Sequence, residues 1–215
     1  MNMKVKNITK LFQVVLLLVA TSCVKEDLEV PQGRIESGRI WDHGYVDLGL
    51  SVKWATCNIG AAKPEEYGDY YAWGEVDNKT NYTSTNSKTY RKNIGNDISG
   101  NINYDAARAK WSSSWRLPTQ AEMEELINGC TWTWTEVNGV YGRMGVGPNG
   151  NSIFFPAAGY CESMALYGEG EYGYYWCSTA ANTENSHIMF FDAGRNYTDW
   201  FYRYRGASIR PVSNY

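Results

Sequence analysis

The chain has 215 residues, room for one large domain or two small ones, and its 43% hydrophobic and 20% charged residues exclude disorder by composition. The net charge of −3 and the lack of a basic tract argue against nucleic-acid binding. Tyr (17), Trp (9) and Gly (21) are abundant, a mix found both in aromatic-filled β cores and in surfaces that bind through rigid aromatic contacts.

The chain opens on "MNMKVKNITKLFQVVLLLVATSC", a basic start, an apolar run from Leu11 to Ala20, and small residues up to Cys23. The run is about half the roughly 20 residues a membrane span needs, so residues 1–22 read as an export signal. Its removal takes away Lys4, Lys6 and Lys10 and leaves a net charge of −6. "VATSC" resembles a bacterial lipobox, which implies cleavage before Cys23 and lipidation of that thiol; several acyl chains give a stable membrane anchor where one would be marginal. "VKEDLE" resembles the surface-export signal of Bacteroidetes lipoproteins, the alternative being an ordinary solvated charge run. Together these imply an outer-membrane lipoprotein facing outside the cell. Residues 23–43 hold Pro31, Gly33 and Gly38 among many charges and read as a tether, with the folded domain spanning 44–215.

In "VDLGLSVKW", Val46, Leu48, Leu50, Val52 and Trp54 alternate with Asp47, Gly49, Ser51 and Lys53, the pattern of a strand with one buried face. Lys79 to Gly100 is rich in Asn, Thr and Ser and reads as a long exposed loop. Asn101, Asn103 and Asp105 have calcium-loop spacing, but Ala106 occupies the glycine position and no glutamate closes the loop. Asp105 therefore reads as the N-cap of a helix over "AARAKW". "WRLPTQAEMEELING" carries a capping box, Thr119 with Glu122, which predicts a helix to about Asn128 with Leu126 and Ile127 inward and Gly129 as its stop. Beyond it the sequence reads as β: a hairpin through Asn149-Gly150, then short strands in "GYYWCSTA", "SHIMFFDAG" and "ASIRPV". One early strand, loops, two helices and then several short antiparallel strands make an α+β layout.

"VDLGLSVKWATCNIGA", "YYAWGE", "WRLPTQAEMEEL", "NGCTWTWT", "GPNGNSIFFPAAGY" and "SIRPV", in this order, resemble the Fibrobacter succinogenes major paralogous domain family over roughly Val46 to Val212. "WRLPTQAEMEEL" is also similar to a motif of formylglycine-generating enzymes. These resemblances imply a C-type lectin-like fold whose first and last strands pair. Related domains include retroelement-diversified variable proteins, in which the C-terminal part is a display platform; here that region would be about Asn182 to Ala207.

Within it, Asn196 to Arg205 holds five aromatic residues and two arginines. Neither alternating set of side chains is cleanly apolar, so the stretch reads as a loop or twisted hairpin that exposes aromatics and charges together. The expected ligand surface is Phe190, Asp192, Tyr197, Asp199, Trp200, Tyr202, Arg203 and Tyr204, with Trp200 as anchor. The expected partner is a surface glycan or a protein.

No metal, cofactor or catalytic motif stands out: His43 and His187 are the two histidines, and H-E-x-x-H, C-x-x-C and G-x-S-x-G are absent. A non-enzymatic binding module is therefore preferred over an atypical or inactive enzyme and over a structural envelope protein. Besides Cys23, four cysteines remain, which permits three pairings or free thiols. Position in the chain favours Cys57–Cys130 and Cys161–Cys177.

Overall fold

The computed structural model describes residues 37–112 and 114–215. The export signal, Cys23 and most of the expected tether lie outside these residues. The tether's last part does not: β1 (Ser37–Ile40) and β2 (His43–Val46) form an antiparallel hairpin, so the folded domain begins before the expected boundary. His43 fixes this hairpin by stacking on Trp111, with ring centroids 3.7 Å apart.

The period-two segment is not one strand. The chain reverses within it, and β3 (Lys53–Ala55) pairs back on β2 with Val46 opposite Trp54. Directly opposed residues in an antiparallel pair share a face. The two ends of the alternating set thus remain on one side, and Val46, Leu48, Val52 and Trp54 are all buried. A short β4 (Tyr71–Ala72) follows. The segment 79–100 then lacks helix and regular strand but is not simply exposed: Tyr82, Thr89 and Ile98 are buried.

Both predicted helices form. In α1 (Ala106–Trp111) the Asp105 side chain caps the first turn through the amide of Arg108 and also accepts from the amides of Gly100 and Leu117. In α2 (Gln120–Gly129) Thr119 and Glu122 make the reciprocal capping box, and Met123 and Leu126 are buried.

The rest is β. A three-stranded sheet contains β5 (Thr131–Val137), β6 (Val140–Val146) and β7 (Ser152–Pro156). Its first turn is Asn138-Gly139, where both residues take positive φ (50° and 85°), as a two-residue hairpin requires. Its second hairpin closes over the expected Asn149-Gly150, with Val146 opposite Ser152. A small hairpin of β8 (Tyr160–Glu162) and β9 (Ala165–Tyr167) leads to β10 (Gly173–Ala180), β11 (Asn185–Phe191) and β12 (Asn196–Tyr202). β13 (Gly206–Ala207) joins β4 to β8, and β14 (Val212–Ser213) pairs with β3, so the two ends of the described chain meet in one sheet.

The β10–β11–β12 sheet lies between two cores. Trp176, Ile188, Phe190 and Phe201 enter one, with Trp73, Trp115 and the first residues of α1. Tyr175, Cys177, Met189 and Phe191 enter the other, with Trp54, Met123, Leu126 and Phe155. Burial on both faces is why "YYWC" and "IMFF" are continuous apolar runs.

The expected α+β, C-type lectin-like arrangement of two helices followed by short strands is overturned. The fold is mostly β: among the described residues, helices of six and ten residues stand against fourteen strands in four antiparallel sheets, and four of those strands precede the helices. Helix caps are local and easily read. Strands of two to four residues, held by partners far away in sequence, carry no period of their own.

Candidate ligand-binding surface

Among the described residues β12 is an edge strand, paired on one side only, with β11. "NYTDWFY" is therefore a strand of a hairpin and not a loop. Its failure to alternate cleanly reflects its place at the rim. Phe201 is buried, in contact with Tyr174 (4.8 Å), Tyr160 (5.2 Å) and Trp176 (5.8 Å), while Tyr197 and Asp199 on the same face run out to solvent. On the other face the Thr198 hydroxyl donates to Glu124 of α2 at 3.2 Å, and Trp200 has 56% of its surface exposed. An edge strand carrying exposed charge is protected against pairing with another chain, while its aromatics stay available.

The turn before β12 is built by Asp192. Its carboxylate accepts from the amides of Gly194 (2.8 Å) and Arg195 (2.9 Å) and pairs with the Arg195 guanidinium (3.0 Å). Burial works against the charge, but these bonds outweigh it and hold the Asp192 carboxyl below its ordinary value. Arg195 then covers Phe190 and Tyr197, with centroid distances of 5.8 and 5.6 Å.

After β12 a ladder of tyrosines continues the surface. Tyr202 stacks on Tyr204 at 5.4 Å, and both meet Tyr90 edge-on. Glu162 of β8 orders this end: it pairs with Arg205 at 2.8 Å and accepts from the Tyr204 hydroxyl at 3.1 Å. The Arg205 guanidinium sits among the rings of Phe201, Tyr160, Tyr202 and Tyr204.

Of the eight expected surface residues, Tyr197, Asp199 and Trp200 are exposed, and Tyr202 and Tyr204 are partly so. Asp192 is half-buried and committed to its turn. Phe190 and Arg203 are corrections. Phe190 is 8% exposed and belongs to a core, and Arg203 is 2% exposed with its guanidinium 4.1 Å from the Trp73 ring centroid. The strand's twist into the following turn carries Arg203 inward, where its neighbours Tyr202 and Tyr204 remain outside. Reading the C-terminal stretch alone missed Tyr90, Glu162 and the exposed Tyr167 and Tyr172, which come from other segments, and left out Arg205 at its own end. Only the Tyr/Gly-rich composition of 167–175 hinted at the last two.

All four cysteines of the domain are free thiols, so neither expected disulfide is present. Cys177 lies inside one core, partly buried Cys130 packs against that core, and Cys161 is on β8. Among the described residues no three His, Cys, Asp or Glu side chains gather as a metal site.

A model described as a domain of unknown function (DUF8237) matches residues 134–212, a span that runs from β5 into β14 and contains all of β12 but not Tyr90. No curated protein and no solved structure matches the chain.

Proposed function

We propose that this protein is a lipid-anchored outer-membrane protein, facing outside the cell, whose domain binds a surface glycan or protein and performs no catalysis. The observation that carries the binding reading is the rim of β12. Trp200 and Tyr197 are exposed on a strand anchored beneath by buried Phe201, and Tyr202, Tyr204 and Tyr90 extend the aromatic surface. Rigid aromatics with a neighbouring arginine make binding hot spots, because their apolar area is presented at little entropic cost. The anchor rests on the sequence around Cys23.

Two experiments test the reading. The full-length protein, displayed on cells, is screened against glycan and protein ligands, and Trp200→Ala should weaken a captured ligand by about 2 kcal/mol. Ligands whose affinity is indifferent to Trp200, Tyr197 and Tyr204 substitutions would exclude this edge as the site. Separately, labelled fatty acid should enter the wild-type chain and not Cys23→Ala, and protease added to intact cells should cleave the domain. Labelling that persists without Cys23 would exclude that anchor, and full protection from protease would exclude surface display.

A further inference from the structure

Behind the aromatic edge lies a separate feature, a polar cavity of about 160 Å3. Lys92, Asn93 and Asn96 form one wall, Asn182 and Thr183 another, and Arg203 lines it from within the fold. Arg203 is locked in place: its amide donates to Glu184 O and its carbonyl accepts from the Trp73 amide, both at 2.9 Å. Nε donates to Ser186 Oγ (3.1 Å) and Asn185 O (3.4 Å), and Nη1 to Lys92 O (3.1 Å). Nη2 donates to nothing among the described residues.

Among the described residues no carboxylate pairs with this guanidinium. Glu184, the acid nearest in the chain, is taken by Arg91 (2.8 Å) and the Tyr90 hydroxyl (3.2 Å). Asp97, next to Asn96, turns its Oδ1 to the Ser99 amide. Lys92 is exposed and has no ion-pair partner among the described residues. Burial lowers the Arg203 pKa to about 10, which leaves it charged at neutral pH.

Unused donors outnumber unused acceptors around the cavity, where Asn96 Oδ1 and the Thr183 hydroxyl also lack a partner among the described residues. The Oδ1 atoms of Asn93 and Asn182 already accept from Gly95, Glu184 and Asn185, while the Nδ2 groups of Asn93, Asn96 and Asn182 donate to nothing among the described residues. Free N–H groups and two uncompensated cations, in a chain that is acidic overall, make a cavity rich in donors and short of negative charge. A buried guanidinium without a counter-charge is costly to keep, and its open N–H edge matches an oxyanion. The volume is below the roughly 300–1,000 Å3 of drug-sized sites, so it suits one ring or one group and not a chain.

We propose that this cavity is a subsite for the carboxylate of an acidic sugar, held by Arg203 Nη2 and Lys92 Nζ, with the asparagine amides donating to ring hydroxyls. It is distinct from the aromatic edge and does not rest on it.

The test titrates the full chain with sodium D-glucuronate, methyl glucoside and inorganic phosphate, following backbone amides and the Arg203 Nε–H by NMR. Glucuronate should give saturable shifts at Lys92, Asn93, Thr183 and Arg203, at least tenfold tighter than methyl glucoside and tighter than phosphate. Lys92→Ala should weaken it severalfold. Ala181→Phe, which fills the mouth without touching the Arg203 bonds, should abolish the shifts. Trp200→Ala should leave them unchanged. Arg203→Gln removes the cation but also a buried contact with Trp73, so the Lys92 and Ala181 variants carry the decision. Absence of saturable shifts, tighter binding of phosphate than of glucuronate, or binding undiminished in Ala181→Phe would overturn the proposal.

Discussion

Trp200 and Phe201 are chain neighbours on opposite faces of β12, and truncating each tests whether the face assignment is right. Phe201 is 7% exposed and touches three rings, with the Arg205 guanidinium 4.8 Å from its own centroid. Phe201→Ala leaves a cavity between packed aromatics and should cost about 3–5 kcal/mol, toward the upper end because aromatic pairs add to burial. Trp200 keeps 56% of its surface in water, and its ring meets that of Tyr202 edge-on at 6.3 Å. Less than half of its area is at stake, roughly 100 Å2, which is at most about 2.5 kcal/mol at 25 cal/mol per Å2. The residual burial of the unfolded chain and the open rim, where no cavity forms, lower this to about 1 kcal/mol. In a domain of this size each kcal/mol moves the melting temperature by about 2–4 °C. Phe201→Ala should thus fall by about 10 °C or more and Trp200→Ala by a few degrees. Thermal melts and urea titrations with matched m-values read both. Equal losses, or a larger loss for Trp200, would refute the assignment of Trp200 to the rim.

Asp105→Ala removes the acceptor of three backbone amides in a fully buried setting and should cost about 3 kcal/mol, seen as a lower urea midpoint. Burial pushes the Glu122 carboxyl up, but two bonds from Arg116 (2.8 and 2.6 Å) and the Thr119 amide outweigh it, so its pKa lies below the ordinary value. A depressed carboxyl contributes stability that is complete above the unfolded value of about 4.3 and is lost as pH falls through the folded value. Glu122→Gln should therefore cost about 2 kcal/mol at pH 7 and flatten the acid limb of the stability profile; a limb identical to wild type would contradict this. Denatured, unreduced protein should yield four alkylatable domain thiols; native protein should react slowly, because burial raises Cys130 and Cys161 to about 11 and Cys177 further still. Recovery of a Cys57–Cys130 or Cys161–Cys177 peptide would show that the free-thiol state is not the one the cell makes.

Local chemistry was legible from residues alone. Asp105, Thr119 and Glu122 cap their helices through amides three residues away, so their capping roles stand in the sequence and the structure bears them out, while the bonds from Gly100 and Leu117 to Asp105 come from the fold. The Asn149-Gly150 hairpin was equally readable, and Asn138-Gly139 carried the same signal without being used. The alternation from Val46 to Trp54 identified the inward side chains, Leu50 being only partly buried, but not the reversal between them, since opposed residues of a hairpin keep the same parity as residues along one strand. The sheet order, the mostly β balance and the fate of the C-terminal stretch depended on contacts between distant segments. Arg203 illustrates this: in sequence it is one of two arginines among tyrosines, and only Trp73, Ser186 and the Lys92 carbonyl, brought together by the fold, decide that it is buried while Trp200 is not. An edge strand has one paired side and two unequal faces, and which face meets a core is settled by what packs there, not by the residues of the strand itself.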